Sequence, residues 1–199
     1  MSKFRRAPTR GRRVELRELR VSDGPALLDI AARPSTVGRW RLAGHTLAPE
    51  MFLEFLWLSA SVNMVMVRRH NSRPLGLAQA YELNEYNGTC SVALLVDDTY
   101  WGAGWPIEGL VLFVHYLLVG LDMRKLYFHV PTFNLEHFRG VASRWLVEEG
   151  VLREARFYQG TYHDVHVLTL WRDNWDEQLS LQVTGNGGWR LGPDISDAR

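Results

Sequence analysis

The sequence predicts one mixed α+β domain, and two observations carry that prediction. Three apolar runs at 62–69, 75–83 and 89–96 are separated only by short turn-forming stretches, the pattern of an antiparallel meander. A glycine loop and a long apolar helix then lead to a further strand-like run. Residues 89–130 therefore read as a strand–loop–helix–strand unit, which sets its two strands parallel.

The remaining elements follow in order. "RVELREL" (13–19) sets Val14, Leu16 and Leu19 among charged residues and predicts a strand. "SDGPALLDIAA" (22–32) opens with Ser22-Asp23 as an N-cap and gathers Leu27, Leu28 and Ile30 on one side, so a helix follows. Residues 32–49 are punctuated by Pro and Gly and read as an ordered loop. Pro49 then starts a helix to residue 60, with Phe52, Phe55, Leu56 and Leu58 as its stripe. Asn87-Gly88 marks a hairpin within the meander. Beyond the meander come a helix over 104–121, a strand over 125–130 and a helix over 134–149 containing Gly140. Strands at 150–158 and 162–171, turning at Gln159-Gly160, close the domain. Residues 1–12 are expected to be a basic, flexible leader, 13–171 the single domain, and 172–199 a polar, glycine-rich tail at the periphery.

Composition narrows the function. Apolar residues make up 46% and charged residues 23%, as in ordinary globular domains. The net charge of +1 gives no general pull toward nucleic acid. The first twenty residues do hold eight Arg or Lys against Glu15 and Glu18; a solvated leader is the favoured reading over an RNA-binding arm. A single cysteine, Cys90, cannot form an intramolecular disulfide and fits a reducing cytoplasm. It is expected to pack in its strand, not to act as a nucleophile. The longest apolar run, 109–121, is too short to span a bilayer, and the charged N-terminus lacks the apolar segment of a signal peptide. His163 and His166 lie three apart in a strand, on opposite faces, so they make poor joint metal ligands.

"YWGAGWPIE" (100–108) is the most informative stretch. It follows a strand and opens a helix, where free N–H groups and the helix dipole favour a phosphate, and Gly102 and Gly104 permit close approach. A glycine turn that merely closes a buried helix is at least as common a reading of the same residues. Ile107 stands where a dinucleotide fingerprint needs its third glycine, and no Gly-Lys-Ser/Thr follows as in a P-loop.

In context the chain resembles the GNAT superfamily of acyl-CoA-dependent N-acyltransferases. The nearest likeness is to its Rim-type branch, which acetylates ribosomal-protein N-termini and small amines. The resemblance runs through "DDTYWGAGWPIEGL" (97–110), "LDMRKLYFHVPTFN" (121–134) and "EEGVLREARFYQGTYHDVHVL" (148–168), and residues 13–171 follow the family's order of elements. It implies acetyl-CoA, or another acyl-CoA, as co-substrate, with its pyrophosphate on the loop Trp101, Gly102, Ala103, Gly104 and Trp105. Asn134 would bind the pantetheine arm or orient the helix after it. Backbone N–H groups near Leu95 and Val96, on a splayed fourth strand, would hold the oxyanion. The acceptor would be a primary amine, on a protein N-terminus or a small molecule, acylated directly and without a metal. A homodimer is compatible with the family; membrane and nucleic-acid partners are not implied. The other reading from the resemblance is a domain that binds acyl-CoA or a partner with little or no catalysis.

This chain departs from the family pattern at several positions. Pro106, which has no N–H, occupies a pyrophosphate-loop position. His137 stands where the branch often has Ser, Trp145-Leu146 replaces a Gly-Phe pair, and Ser91 replaces an acidic residue on the fourth strand. Proton transfer then falls to Glu82 and Glu85, His129, His137, or His163 with Asp164, of which His137 and the two glutamates are preferred. Trp40 and Tyr81 are expected to line the acceptor pocket, and Arg39 and Arg41 in "GRWRLAGH" (38–45) suit an anionic or peptide-like acceptor.

Overall fold

The computed structural model describes residues 9–45, 47–138 and 145–175. Strands β1 (Val14–Glu18), β2 (Val62–Arg68), β3 (Pro74–Asn84), β4 (Thr89–Val96), β5 (Lys125–Pro131), β6 (Val147–Tyr158) and β7 (Thr161–Trp171) form one sheet in the order β1-β2-β3-β4-β5-β7-β6. Helices α1 (Gly24–Ala32) and α2 (Pro49–Leu58) cover one face, and α3 (Trp105–His115) covers the other. The expected meander is present, and β4–β5 is the parallel pair.

Strand alternation builds two cores. Val65, Val67, Leu77 and Leu95 meet Leu27, Ile30, Phe52 and Leu56 of α1 and α2. Met66, Ala78, Val92 and Leu126 point the other way, against Leu110–Val114 of α3. Helix α3 sits so close to β2 that a Cβ on Gly109 would lie 2.5 Å from the Met66 sulfur. The buried Glu108 of α3 accepts the N–H groups of Arg13 (2.8 Å) and Val14 (3.2 Å), tying the helix's first turn to β1.

Most predicted boundaries lie within two residues of those observed, and the exceptions have physical causes. The helix expected over 104–121 is α-helical only to His115; Tyr116–Gly120 is a π turn, closed by the Leu121 N–H on the Tyr116 carbonyl. Within the helix expected over 134–149, the stretch to Phe138 belongs to a 3₁₀ turn, Thr132–Phe138, and Trp145 is helical, while residues 139–144, Gly140 included, lie outside the described residues. Residues 147–149 are strand instead, because Val147 and Glu148 pair with Thr169 and Leu168 of β7. At the expected leader, Thr9–Arg12 fold back on β1: Thr9 O accepts from Leu16 N–H and Arg10 bridges to Glu15. The expected tail also begins inside the domain, since Trp175 is buried against Trp145. Residues 1–8 and 176–199 lie outside the described residues.

Candidate active site

β4 and β5 pair only at Thr89–Lys125, Cys90–Leu126 and Ser91–Tyr127, then diverge. The gap between them opens into a cavity of about 680 Å³, walled by Val92, Leu94 and Val96 of β4 and Phe128, His129 and Val130 of β5. The cleft runs from the α3 face, under the glycine loop, to the α1–α2 face.

The α3 end is built from backbone. Asp97 caps the loop's first turn through Thr99 N (3.0 Å) and holds Arg33 (2.7 Å); Arg33 also binds Asp98 (2.6 Å), fixing the loop to the end of α1. These contacts and a hydrogen bond from Ser35 Oγ hold the Asp98 carboxyl below its usual range, Ser35 contributing most. The chain then passes through left-handed conformations at Gly102 (φ 79°) and Gly104 (φ 73°), the latter capping α3. The amides of Trp101 and Ala103 are used within the loop, bonding Asp98 O and Tyr100 O. Those of Gly102, Gly104, Trp105 and Ile107 have no partner among the described residues. Four free N–H groups around the start of an eleven-residue helix fit a pyrophosphate, with Pro106 as the one gap in the set. Trp105 is turned out of the cleft, stacked on Tyr100 (5.3 Å) and under Arg68 (4.3 Å), so the groove stays open.

The other end is built from side chains far apart in sequence. Trp40, Arg39 and Arg41 come from the α1–α2 loop, Tyr81 from β3, His129 from β5 and Arg156 from β6. Arg41 lies over the Tyr81 ring (4.2 Å) and is held by Ser59 and Gln79. Burial pushes the Tyr81 hydroxyl above its usual pKa and pulls the Arg41 guanidinium below its own. Arg156 donates to the Trp40 carbonyl at 2.6 Å. Between the two ends, Trp101 meets His137 (4.8 Å), and Arg39 and Asn134 exchange hydrogen bonds of 3.1 Å each. Asn134 thus fixes the turn after β5 to the α1–α2 loop.

Of the residues expected from sequence, Trp40, Tyr81, Val96, Trp101, Gly102, Gly104, Asn134 and His137 share this cavity. The Leu95 side chain is fully buried under α1 and α2, while those of its neighbours Leu94 and Val96 reach the cleft. Glu82 and Glu85 lie outside the lining, exposed at the β3–β4 turn, where Glu82 accepts the Ser91 hydroxyl (2.8 Å). Burial pushes the Cys90 thiol up to about 12, against any nucleophilic use. His163 packs on Phe133 while His166 bonds Glu148 (2.7 Å), so the two histidines serve different neighbours. No group of three metal-ligating side chains occurs among the described residues, and no helix there is long and apolar enough to cross a membrane. Arg156 and Thr36 are cavity residues that sequence reasoning missed, because nothing local marks a strand or loop residue as facing a cleft.

The described strands thus form a seven-stranded sheet splayed at the parallel β4–β5 pair, with four glycine-loop amides at the opening that have no partner among the described residues. The sequence matches the model of the acetyltransferase (GNAT) domain over residues 13–144, and the chain belongs to that family. It is 27% identical over 90 residues to the SPbeta prophage-derived uncharacterized N-acetyltransferase YokL of Bacillus subtilis (strain 168), covering 45% of this chain and 51% of that protein. The chain thus spans about half the length of that curated relative. Among solved structures it is similar to the spermidine N-acetyltransferase of Vibrio cholerae in complex with CoA and spermine. That similarity has a TM-score of 0.71 and 18% identity over 81% of this chain and 97% of that one. It is also similar to an acetyltransferase (GNAT family) from Bacillus anthracis, with a TM-score of 0.70 and 13% identity over 83% and 98%. At these identities the likeness is one of fold.

Proposed function

We propose that the protein is an acetyl-CoA-dependent N-acetyltransferase that moves the acetyl group directly to a primary amine. The observation that carries this reading is the continuous cleft through the β4–β5 splay, with the amides of Gly102, Gly104, Trp105 and Ile107, which have no partner among the described residues, at one end. These amides would hold the coenzyme pyrophosphate; the coenzyme supplies an activated thioester. The acceptor enters from the α1–α2 face. Its nitrogen attacks the carbonyl carbon, the C–S bond breaks, the thiolate takes up one proton and the amine gives one up.

His129 stands two residues past the last β4–β5 pair, on the cavity wall, and is the residue we assign to receive the amine's proton, directly or through water. His137, against Trp101 beside the loop, is placed to return a proton to the thiolate. The unpaired edge of β4 near Val96 offers N–H groups for the oxyanion. Acceptors in keeping with the Rim-type likeness range from protein N-termini to small amines, the single cysteine suits a cytoplasmic setting, and a homodimer is compatible. The test is calorimetric titration of acetyl-CoA, followed by thiol release with a panel of amines and peptides. Micromolar binding with acceptor-dependent thiol release is expected. Absence of acetyl-CoA binding sinks the reading, and binding without release turns it toward a non-catalytic acyl-CoA receptor.

A further inference from the structure

We propose that the acceptor amine carries an anionic group, a carboxylate or a phosphate, received by Arg41 and Arg156 on the α1–α2 side of the cleft. This rests on the acetyltransferase reading and adds the acceptor's chemical class.

Three guanidinium groups, Arg39, Arg41 and Arg156, line the cavity, and none has a carboxylate partner among the described residues. Elsewhere three half-buried arginines are paired with carboxylates, and a fourth, Arg68, lies over the Trp105 ring. Arg17 is paired with Asp23 (2.6 Å), Arg33 with Asp29, Asp97 and Asp98, and Arg172 with Asp122 (2.5 Å). The cavity arginines are held instead by neutral groups: Ser59 and Gln79 for Arg41, the Gly38 and Trp40 carbonyls for Arg156. Such contacts fix a cation's position without cancelling its charge, which leaves the charge to be met by a ligand.

Two further observations point the same way. Arg41 lies against Tyr81 and Phe55, which orients its planar fork, and its Nε has no bond among the described residues. A guanidinium fixed in this way suits the two oxygens of a carboxylate or phosphate. Secondly, the buried side-chain polar atoms without a partner among the described residues are Thr36 Oγ1, Trp40 Nε1 and Arg156 Nε, and all three residues belong to this cavity wall. Unmet polar groups gathered at one wall mark a place where hydrogen bonds are made by something else. The one carboxylate on the lining is Glu136, exposed beside His137 near the glycine loop; Glu82 stands outside the lining, where its charge reaches Arg41 without a hydrogen bond. A polycation such as spermine would meet three guanidinium groups here, none ion-paired to a carboxylate among the described residues, so this cleft should reject it.

The test uses matched pairs on the full chain: amino acids against their carboxamides, aminoalkyl phosphates against amino alcohols, and spermidine. Each is measured for kcat/KM in acetyl transfer and, by calorimetry, for binding to the CoA-loaded protein. The anionic member of at least one pair should be favoured by about tenfold or more. Arg41→Gln should bring that ratio toward one by raising the acceptor KM, while the acetyl-CoA Kd stays within about twofold; Arg41→Lys should keep part of it. The carboxylate and phosphate arms say which anion is meant. Preference for spermidine or the neutral members, or no binding by any anionic member, overturns the proposal. So does an Arg41→Gln effect confined to acetyl-CoA affinity, since the arginine would then serve the coenzyme. Binding of anionic amines without thiol release from any of them supports the anion site while removing the acetyltransferase reading.

Discussion

The two ends of the cleft are made differently. The end under α3 is a backbone device: two glycines in left-handed conformations and a helix start present amides, and the side chains around them serve mainly to hold the loop still. The end under α1 and α2 is a side-chain device, assembled from the α1–α2 loop, β3, β5 and β6. Backbone donors read a group that does not vary, such as a pyrophosphate. Side chains carry charge and shape that differ from one acceptor to another. The comparison teaches where this chain keeps its common chemistry and where it keeps its specificity, and substitutions at each end should fail in different measurements.

The largest effect is expected at the backbone end. Gly104→Val puts a β-branched residue at φ 73° and a side chain where a phosphate would approach. Losing two charge-assisted hydrogen bonds, about 4 kcal/mol in total, predicts a rise in acetyl-CoA Kd of about 10³-fold by calorimetry. Circular dichroism separates that loss from unfolding. An unchanged Kd would place the coenzyme elsewhere and dissolve the comparison.

Next comes His129→Ala, which tests whether the two ends meet at the splay. It should lower kcat by about 10²-fold, with acetyl-CoA binding intact. If His137→Ala lowers kcat that far and His129→Ala does not, the amine's proton leaves on the loop side of the cleft.

The same contrast explains what could be read from sequence. Gly102, Gly104 and their place between a strand and a helix announce the backbone end, since the conformations they need belong to consecutive residues. The meander was legible for the same reason: alternation and Asn87-Gly88 are local signals. Arg156 was not legible, because it reaches Trp40 across 116 residues and through a bulged stretch of β6. The oxyanion donors expected near Leu95 and Val96 are backbone N–H groups, and alternation sends the two side chains to opposite sides, Leu95 to the α1–α2 core and Val96 to the cleft. The turn after β5 was misread because "NLEHF" has helical spacing, whereas its backbone is held in a 3₁₀ turn packed on β7, with Asn134 bonded to Arg39.

A smaller effect is expected from the scaffold under the side-chain end. Asp23, just before α1, accepts both arms of Arg17 (2.6 and 2.7 Å) and the Arg20 N–H (2.9 Å). Burial opposes its charge, but these hydrogen bonds prevail and hold its pKa below the ordinary value. A carboxylate depressed on folding stabilises fully above its unfolded pKa near 4, and that contribution fades as pH falls through the folded value. Asp23→Asn should therefore cost about 2 kcal/mol in urea unfolding at pH 7, with wild type and variant converging as pH falls below the folded-state pKa. A difference that persists in acid would mean that shape, not charge, holds α1 in place.

The smallest effect is the sharpest test of the backbone end. Pro106 is the second residue of α3, between Trp105 and Ile107, whose amides have no partner among the described residues. Proline suits that position because its fixed φ matches the first helical turn, yet it withholds an N–H where phosphate oxygens would lie. Pro106→Ala should thus have effects of opposite sign. Stability should fall by about 0.5 kcal/mol, as the unfolded chain regains freedom. Acetyl-CoA should bind about fivefold tighter, the worth of one added hydrogen bond of about 1 kcal/mol. Arg13, with a guanidinium nitrogen 3.8 Å from where a Gly104 Cβ would stand, already brings positive charge to this turn. If that charge substitutes for the missing donor, the gain in affinity will appear only when Arg13→Gln is combined with Pro106→Ala. Tighter binding in the single variant shows instead that the proline leaves the cradle one donor short.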